Sequence, residues 1–123
     1  MDTREKIVLF DQLSKTLSEG RWTAVFGYFD PLTAEQANRL SNMKNGDRLL
    51  ALIFDREDAL LPTEGRASLI AALRDVDSVA IVPKGADPDF SNVTNVKVIR
   101  ELEQDASRSV NFAAFVLRRQ QAK

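Results

Sequence analysis

The sequence predicts a three-layer α/β/α domain built on a mostly parallel sheet of four to five strands. Three observations carry this expectation. Apolar runs of strand length at 22–28, 48–54 and 78–83 alternate with segments of helical periodicity. The run "RLLALIF" is apolar almost without a break, the mark of a strand covered on both faces. The connections are short, and no repeat or low-complexity segment interrupts them. At 123 residues the chain reads as one domain spanning 1–123 with a single core, an N-terminal helix over about 3–20 and the core over about 21–123.

Asp2 followed by Glu5 has the spacing of a helix N-cap and its capping-box partner. Ile7, Phe10, Leu13 and Leu17 recur at helical spacing, which places a first helix against the sheet, and Gly20 is positioned to end it. The β-rich "WTAVFGY" at 22–28 predicts a buried strand. A helix follows over about 35–43, closed by Asn45 and Gly46. After the strand at 48–54, a loop at 55–63 leads to a helix at 64–73 with Leu69, Ile70 and Leu73 inward. "SVAIVP" gives a third strand, "GADPDFSN" has turn chemistry throughout, and "NVKVIRE" alternates like a strand. From Ser109 to Arg119 the pattern is helical again, with Arg118 and Arg119 suiting the helix dipole. The order is α-β-α-β-α-β-β-α. In open parallel sheets ligands bind beyond the carboxyl ends of the strands near a topological switch point. Gly27 to Asp30, at the end of the first core strand, therefore mark the expected ligand position.

Composition removes much chemistry. Without cysteine there is no disulfide, thiol nucleophile or thiolate metal site. Without histidine there is no imidazole acid or base, no His ligand and no Ser-His-Asp triad. A net charge of −1 leaves no basic footprint for nucleic acid or an anionic membrane. No apolar run approaches the ~20 residues of a membrane span, and no signal peptide opens the chain. The expectation is a cytoplasmic protein that engages neither nucleic acid nor membrane.

Three blocks of residues point further. Gly27, Phe29 and Asp30 stand as in the pattern G-x-F-D-x-x-H-x-G-H. "GDRLLALIFD" matches a second strand with its closing aspartate. In "GRASLIAALRDVDSVAIV", Arg66, Val76 and Asp77 fall in register with E-R-x-x-x-(x)-A-L-x-x-V-D-x-V. Over nearly its whole length the chain resembles the cytidylyltransferase-type nucleotidyltransferase superfamily, a Rossmann-like fold. The leading segment and "EGRWTAVF" are most similar to the adenylyltransferase domain of heptose-phosphate enzymes. In that family the two histidines of H-x-G-H grip the nucleotide phosphates, and the glycine between them admits close backbone approach beside a helix N-terminus.

Laid over this chain, the four motif positions become Thr33, Ala34, Glu35 and Gln36. By analogy with oxyanion-hole donors, each lost imidazole costs ~10²–10³ in rate, or ~10⁴–10⁶ together if additive. Gln36 and Thr33 offer only neutral hydrogen bonds. Glu35 puts a carboxylate where the phosphates need a bare glycine. At ~4 Å two like charges repel by about 4 kcal/mol at an intermediate dielectric. Read locally, Thr33 and Gln36 form a capping box, worth ~1 kcal/mol without any ligand. The cap is the preferred reading.

Other departures agree. Active relatives usually carry a lysine after the second strand, whereas Arg56, Glu57 and Asp58 here offer one cation against two acids. The family has a further helix, and a strand ending in Lys-Gly-x-Asp, where this chain has only "PKGADPDFSNVTN". Lys84, Gly85, Ala86 and Asp87 read equally as a remnant of that motif and as turn chemistry. Ser107, Arg108 and Ser109 occupy the family's serine/threonine cluster at the opening of the last helix. A guanidinium there opposes the dipole and calls for an anion, although a solvent-facing arginine or a salt bridge to Asp105 or Glu35 is the plainer account. Asp87 and Asp89 read as solvated turn carboxylates, and Trp22 as packing.

The preferred function is a degenerate nucleotidyltransferase-like domain with no catalytic residue, cofactor or metal. Its vestigial nucleotide site comprises Gly27, Tyr28, Phe29, Asp30, Thr33, Gln36, Ser107, Arg108 and Ser109. It serves as a binding, regulatory or oligomerisation module. A nucleotide or another small anion is the candidate ligand. Excess apolar surface on the first helix, or at Phe112 and Phe115, could make a homodimer contact, although core packing is the preferred reading for most of these residues. The alternative is an active adenylyl- or cytidylyltransferase. It would join ATP or CTP, with Mg, to a sugar or polyol phosphate and release pyrophosphate, with Arg108, Arg39 or Lys84 supplying charge and Asp30 near the metal. A third reading is an α/β protein that binds another small anion or a protein partner and no nucleotide.

Overall fold

In a computed structural model, residues 3–30, 32–44, 46–55, 61–91 and 93–102 are described. Among the described residues five strands form one sheet in which every pairing is parallel: β1 (Ile7–Val8), β2 (Trp22–Gly27), β3 (Arg48–Ile53), β4 (Ser78–Ile81) and β5 (Val96–Arg100). Their order across the sheet is β1-β4-β3-β2-β5. Three helices are complete among the described residues: α1 (Leu13–Thr16), α2 (Ala34–Lys44) and α3 (Thr63–Ala71). This is the α/β Rossmann-like arrangement expected from the alternating apolar runs.

The central strands are apolar on both sides because both sides are covered. Val25, Leu49, Ala51, Ile53 and Val79 pack with Leu40 of α2 and with Ala67 and Ile70 of α3. On the other face Trp22, Ala24, Phe26, Leu50, Leu52 and Ala80 pack with Leu13 and Leu17, and Phe90 and Val98 close over them. Gly46 takes φ +88° just beyond α2, a left-handed geometry open to glycine at little cost. That turn lets Arg48 start β3 beside Trp22.

Three expectations need correction. The first helix over 3–20 is not continuous. A 3₁₀ turn (Thr3–Lys6) leads into β1, a second 3₁₀ turn (Phe10–Gln12) follows, and only Leu13–Thr16 is α-helical. Ile7 and Val8 pair with Val79 and Ala80 along the outer edge of β4. Ile7 packs into one core face and Phe10, Leu13 and Leu17 into the other, so one helix cannot serve all four. β-branched residues beside an unpaired strand edge gain ladder hydrogen bonds that a helix would forgo. Leu69 is 48% exposed rather than inward, and Arg66 takes the inner face of α3 with Ala67 and Ile70. Tyr28 falls just beyond the end of β2. The capping residue Asp2 and the last helix from Ser109 lie outside the described residues. Among the described residues no helix is long and apolar enough to cross a membrane.

The sheet order places the switch point. From β2 the chain steps outward to β3 and β4, then returns to lay β5 along the opposite side of β2. The carboxyl ends of β2 and β5 therefore flank the position where open α/β sheets hold ligands.

Candidate functional site

At the end of β2 the backbone turns sharply. Phe29 takes φ 52°, a left-handed conformation that costs an aromatic residue roughly 1–2 kcal/mol. Complete burial of its ring in the core beside α2 and α3 holds it there. The neighbouring carbonyls are tied by Arg66, which is 1% exposed. Its Nη1 donates to the Tyr28 carbonyl at 2.7 Å and to the Phe54 carbonyl at 3.0 Å. Nε reaches the Leu61 carbonyl at 3.2 Å, and Nη2 donates to Thr63 Oγ1 at 3.1 Å. The partly exposed Asp55 carboxylate lies 3.6 Å away. One buried guanidinium thus staples the ends of β2 and β3 to the start of α3. Asp30, also buried, accepts the Leu61 N–H on Oδ1 at 2.9 Å.

Beyond this loop Thr33 caps α2, its hydroxyl accepting the Gln36 N–H at 3.1 Å. Gln36 is buried and Glu35 exposed in the first turn. One turn further on, Arg39 Nη2 donates to Glu101 Oε1 at 2.6 Å, so α2 is clamped to the end of β5. Glu101 is 4% exposed, and its buried Oε2 has no hydrogen-bond partner among the described residues. A buried carboxylate held by one cation sets the local sign of charge. Asp30, Glu35 and Glu101 make the α2 side of the switch point acidic, and Arg39 is committed to Glu101.

On the opposite face of the sheet lies a groove of about 490 Å³. Phe26, Pro88, Phe90 and Val98 line it, and Asp89, Ser91 and Arg100 supply its polar groups. The Phe26 and Phe90 rings meet edge-on with centroids 6.0 Å apart, and Phe54 stacks obliquely on Phe26 at 5.5 Å. The Arg100 guanidinium rests 4.8 Å from the Phe26 centroid. Asp89 Oδ1 accepts the Ser91 N–H at 2.9 Å. That backbone bond, the Ser91 hydroxyl and the charge of Arg100 hold the Asp89 carboxyl below its ordinary range.

Gly27, Tyr28, Phe29, Asp30, Thr33 and Gln36 lie along the end of β2, the β2–α2 connection and the start of α2. Ser107, Arg108 and Ser109 lie outside the described residues, as do residues 56–60, Phe112, Phe115, Arg118 and Arg119. Lys84 borders a smaller cavity of about 130 Å³ at the ends of β3 and β4. There the Ala86 N–H closes a turn on the Pro83 carbonyl at 3.0 Å, which favours the turn reading of 84–87. Trp22 packs at the amino end of β2, remote from the site, donating Nε1–H to the Glu19 carbonyl at 3.0 Å. Sequence reasoning missed Glu101 and the groove, and it named Arg66 only as part of a pattern. An arginine among the inward positions of α3 was the signal for the staple. An Arg-Glu pair closing an alternating strand was the signal for the other two.

Among the described residues no group of three or more acidic side chains is arranged to hold a metal ion. No protein-family model matches the chain, and no curated protein matches it significantly.

Proposed function

We propose that this chain is a nucleotidyltransferase-like domain that keeps the fold without the transfer chemistry and works as a binding module. The observation that carries this reading is the start of α2. Where the resembling family grips phosphates, Thr33 spends its hydroxyl on the Gln36 N–H and Gln36 is buried. The charges around that helix start argue the same way. Transfer of a nucleotidyl group needs preorganised positive charge at the attacked phosphate. Here Arg39 is engaged with Glu101, the Asp30 carboxylate is engaged with the Leu61 N–H, and Glu35 adds a further negative charge. A triphosphate brought to ~4 Å from such a carboxylate meets repulsion of about 4 kcal/mol per charge pair at an effective dielectric near 20.

The test is pyrophosphate release from ATP or CTP with Mg²⁺ in the presence of a panel of sugar and polyol phosphates. The expected result is no release above the protein-free rate. Release that depends on both the protein and a phosphorylated acceptor would favour the active-transferase alternative and overturn this reading.

A further inference from the structure

We propose that the groove between Phe26, Phe90 and Arg100 binds a small zwitterion of amino-acid type with an aromatic or large apolar side chain. The groove lies at the carboxyl ends of β2 and β5, where Phe26 and Arg100 are register partners in adjacent strands. It opens on the face of the sheet opposite α2, so it is separate from the Thr33–Glu101 region. It therefore stands or falls independently of the lost transfer chemistry.

Size and lining set the ligand class. A volume of about 490 Å³ lies within the ~300–1,000 Å³ usual for small-molecule sites. Its accessible apolar lining is the half-buried Phe90 and Val98, with the Phe26 ring buried beneath in edge-to-face contact with Phe90, a surface on which a ligand ring or a branched aliphatic chain packs beside Phe90. Arg100 stacks over Phe26, which orders a planar fork of donors at the end of that wall and suits it to a carboxylate. Asp89 faces the same groove, oriented by the Ser91 N–H. Its carboxyl, lowered in pKa partly by Arg100, is ionised at neutral pH, so the two opposite charges feel each other across the groove.

That charge pair decides between ligands. A simple anion is drawn to Arg100 and repelled by Asp89, and a simple cation meets the reverse. A molecule with a carboxylate and an ammonium on one carbon satisfies both groups while its side chain packs on Phe90 and Val98. Phosphate-bearing ligands, with two or more negative charges, fit this rim poorly.

The probe is L-phenylalanine, titrated into the ¹⁵N-labelled full chain and followed by amide shifts. Saturable shifts at millimolar ligand or below, centred on Phe90, Ser91, Val98 and Arg100, are expected. 3-Phenylpropionate and 2-phenylethylamine, which each lack one charge, should bind at least about tenfold more weakly. Arg100 and Asp89 are exposed, so R100Q and D89N should leave the fold intact. R100Q should bring phenylalanine down to the affinity of 2-phenylethylamine, and D89N down to that of 3-phenylpropionate. The proposal would be overturned by no shifts with phenylalanine at millimolar concentration, by equal binding of a one-charge analogue to the unaltered protein, or by shifts centred on residues 33–39. Tighter binding of ATP or CTP to the same amides would also refute it, and would identify an anion site.

Discussion

Replacing Arg66 with methionine tests whether a single buried guanidinium holds the end of β2 in its turned conformation. The substitution keeps an unbranched apolar stem and removes every donor, so packing changes little and the hydrogen bonds change most. Three backbone carbonyls, those of Tyr28, Phe54 and Leu61, lose an Arg66 donor. A hydrogen bond from a charged donor contributes roughly 1.5–3 kcal/mol when intact, and a buried acceptor left bare costs roughly 1–3 kcal/mol. All three residues are partly exposed, so water recovers some of this, and the desolvation of the arginine itself is relieved. About 1 kcal/mol per carbonyl gives a loss of about 3 kcal/mol, a large part of the ~5–15 kcal/mol typical of a domain. With a urea slope of about 1.5 kcal/mol/M, the unfolding midpoint falls by about 2 M. Trp22, the lone tryptophan and deeply buried, reports the transition by fluorescence. Arg66→Lys keeps the charge without the planar fork and should recover less than half of the loss. A midpoint shift under about 0.5 M for R66M, or full rescue by lysine, refutes the staple.

Two further outcomes follow from the same geometry. Arg39→Met leaves Glu101 buried without its cation. Because the Arg39 side chain is itself 36% exposed, the loss should be about 2–3 kcal/mol, below the ~3–5 kcal/mol of a fully buried pair. The double variant R39M/E101M should regain most of that loss in urea unfolding, and a strictly additive double would contradict a coupled pair. Asp89 gives a pH signature. Its folded-state pKa is lowered by the Ser91 backbone and hydroxyl bonds and by Arg100, so its stabilisation is present above the ordinary value of 3.8 and lost as pH falls through the lower folded value. D89N should therefore have a lower urea midpoint than the unaltered protein at pH 7, and the gap should close well below pH 3.8. A gap that persists in acid would mean that the carboxylate charge is not the cause.

The sheet was legible in the sequence because β2 and β3 are covered on both faces, which leaves unbroken apolar runs that few other structures produce. Thr33 was legible as a cap because capping is local, a matter of three residues. The N-terminal segment was not. The spacing of Ile7, Phe10, Leu13 and Leu17 fits a helix stripe, but what decides Ile7 and Val8 is the open edge of β4, more than seventy positions away in register. The same distance hides the polar contacts. Arg39 and Glu101 are 62 residues apart, and Arg66 and Tyr28 are 38 apart. Periodicity reports which side of an element is apolar, and it says nothing about which charged side chain will answer a carbonyl or carboxylate across the sheet. The groove was hidden for a related reason. Phe26 and Arg100 become neighbours only because β5 takes the place beside β2, whereas the resembling family has an extra helix and strand between its third and last strands.

Calorimetric titration of the purified full chain with ATP and with CTP, each with and without Mg²⁺, tests the vacated phosphate site most directly. No saturable heat is expected with either nucleotide up to millimolar concentration. Micromolar affinity for either one would contradict it, and would mean that Glu35 and the capped start of α2 do not exclude a triphosphate.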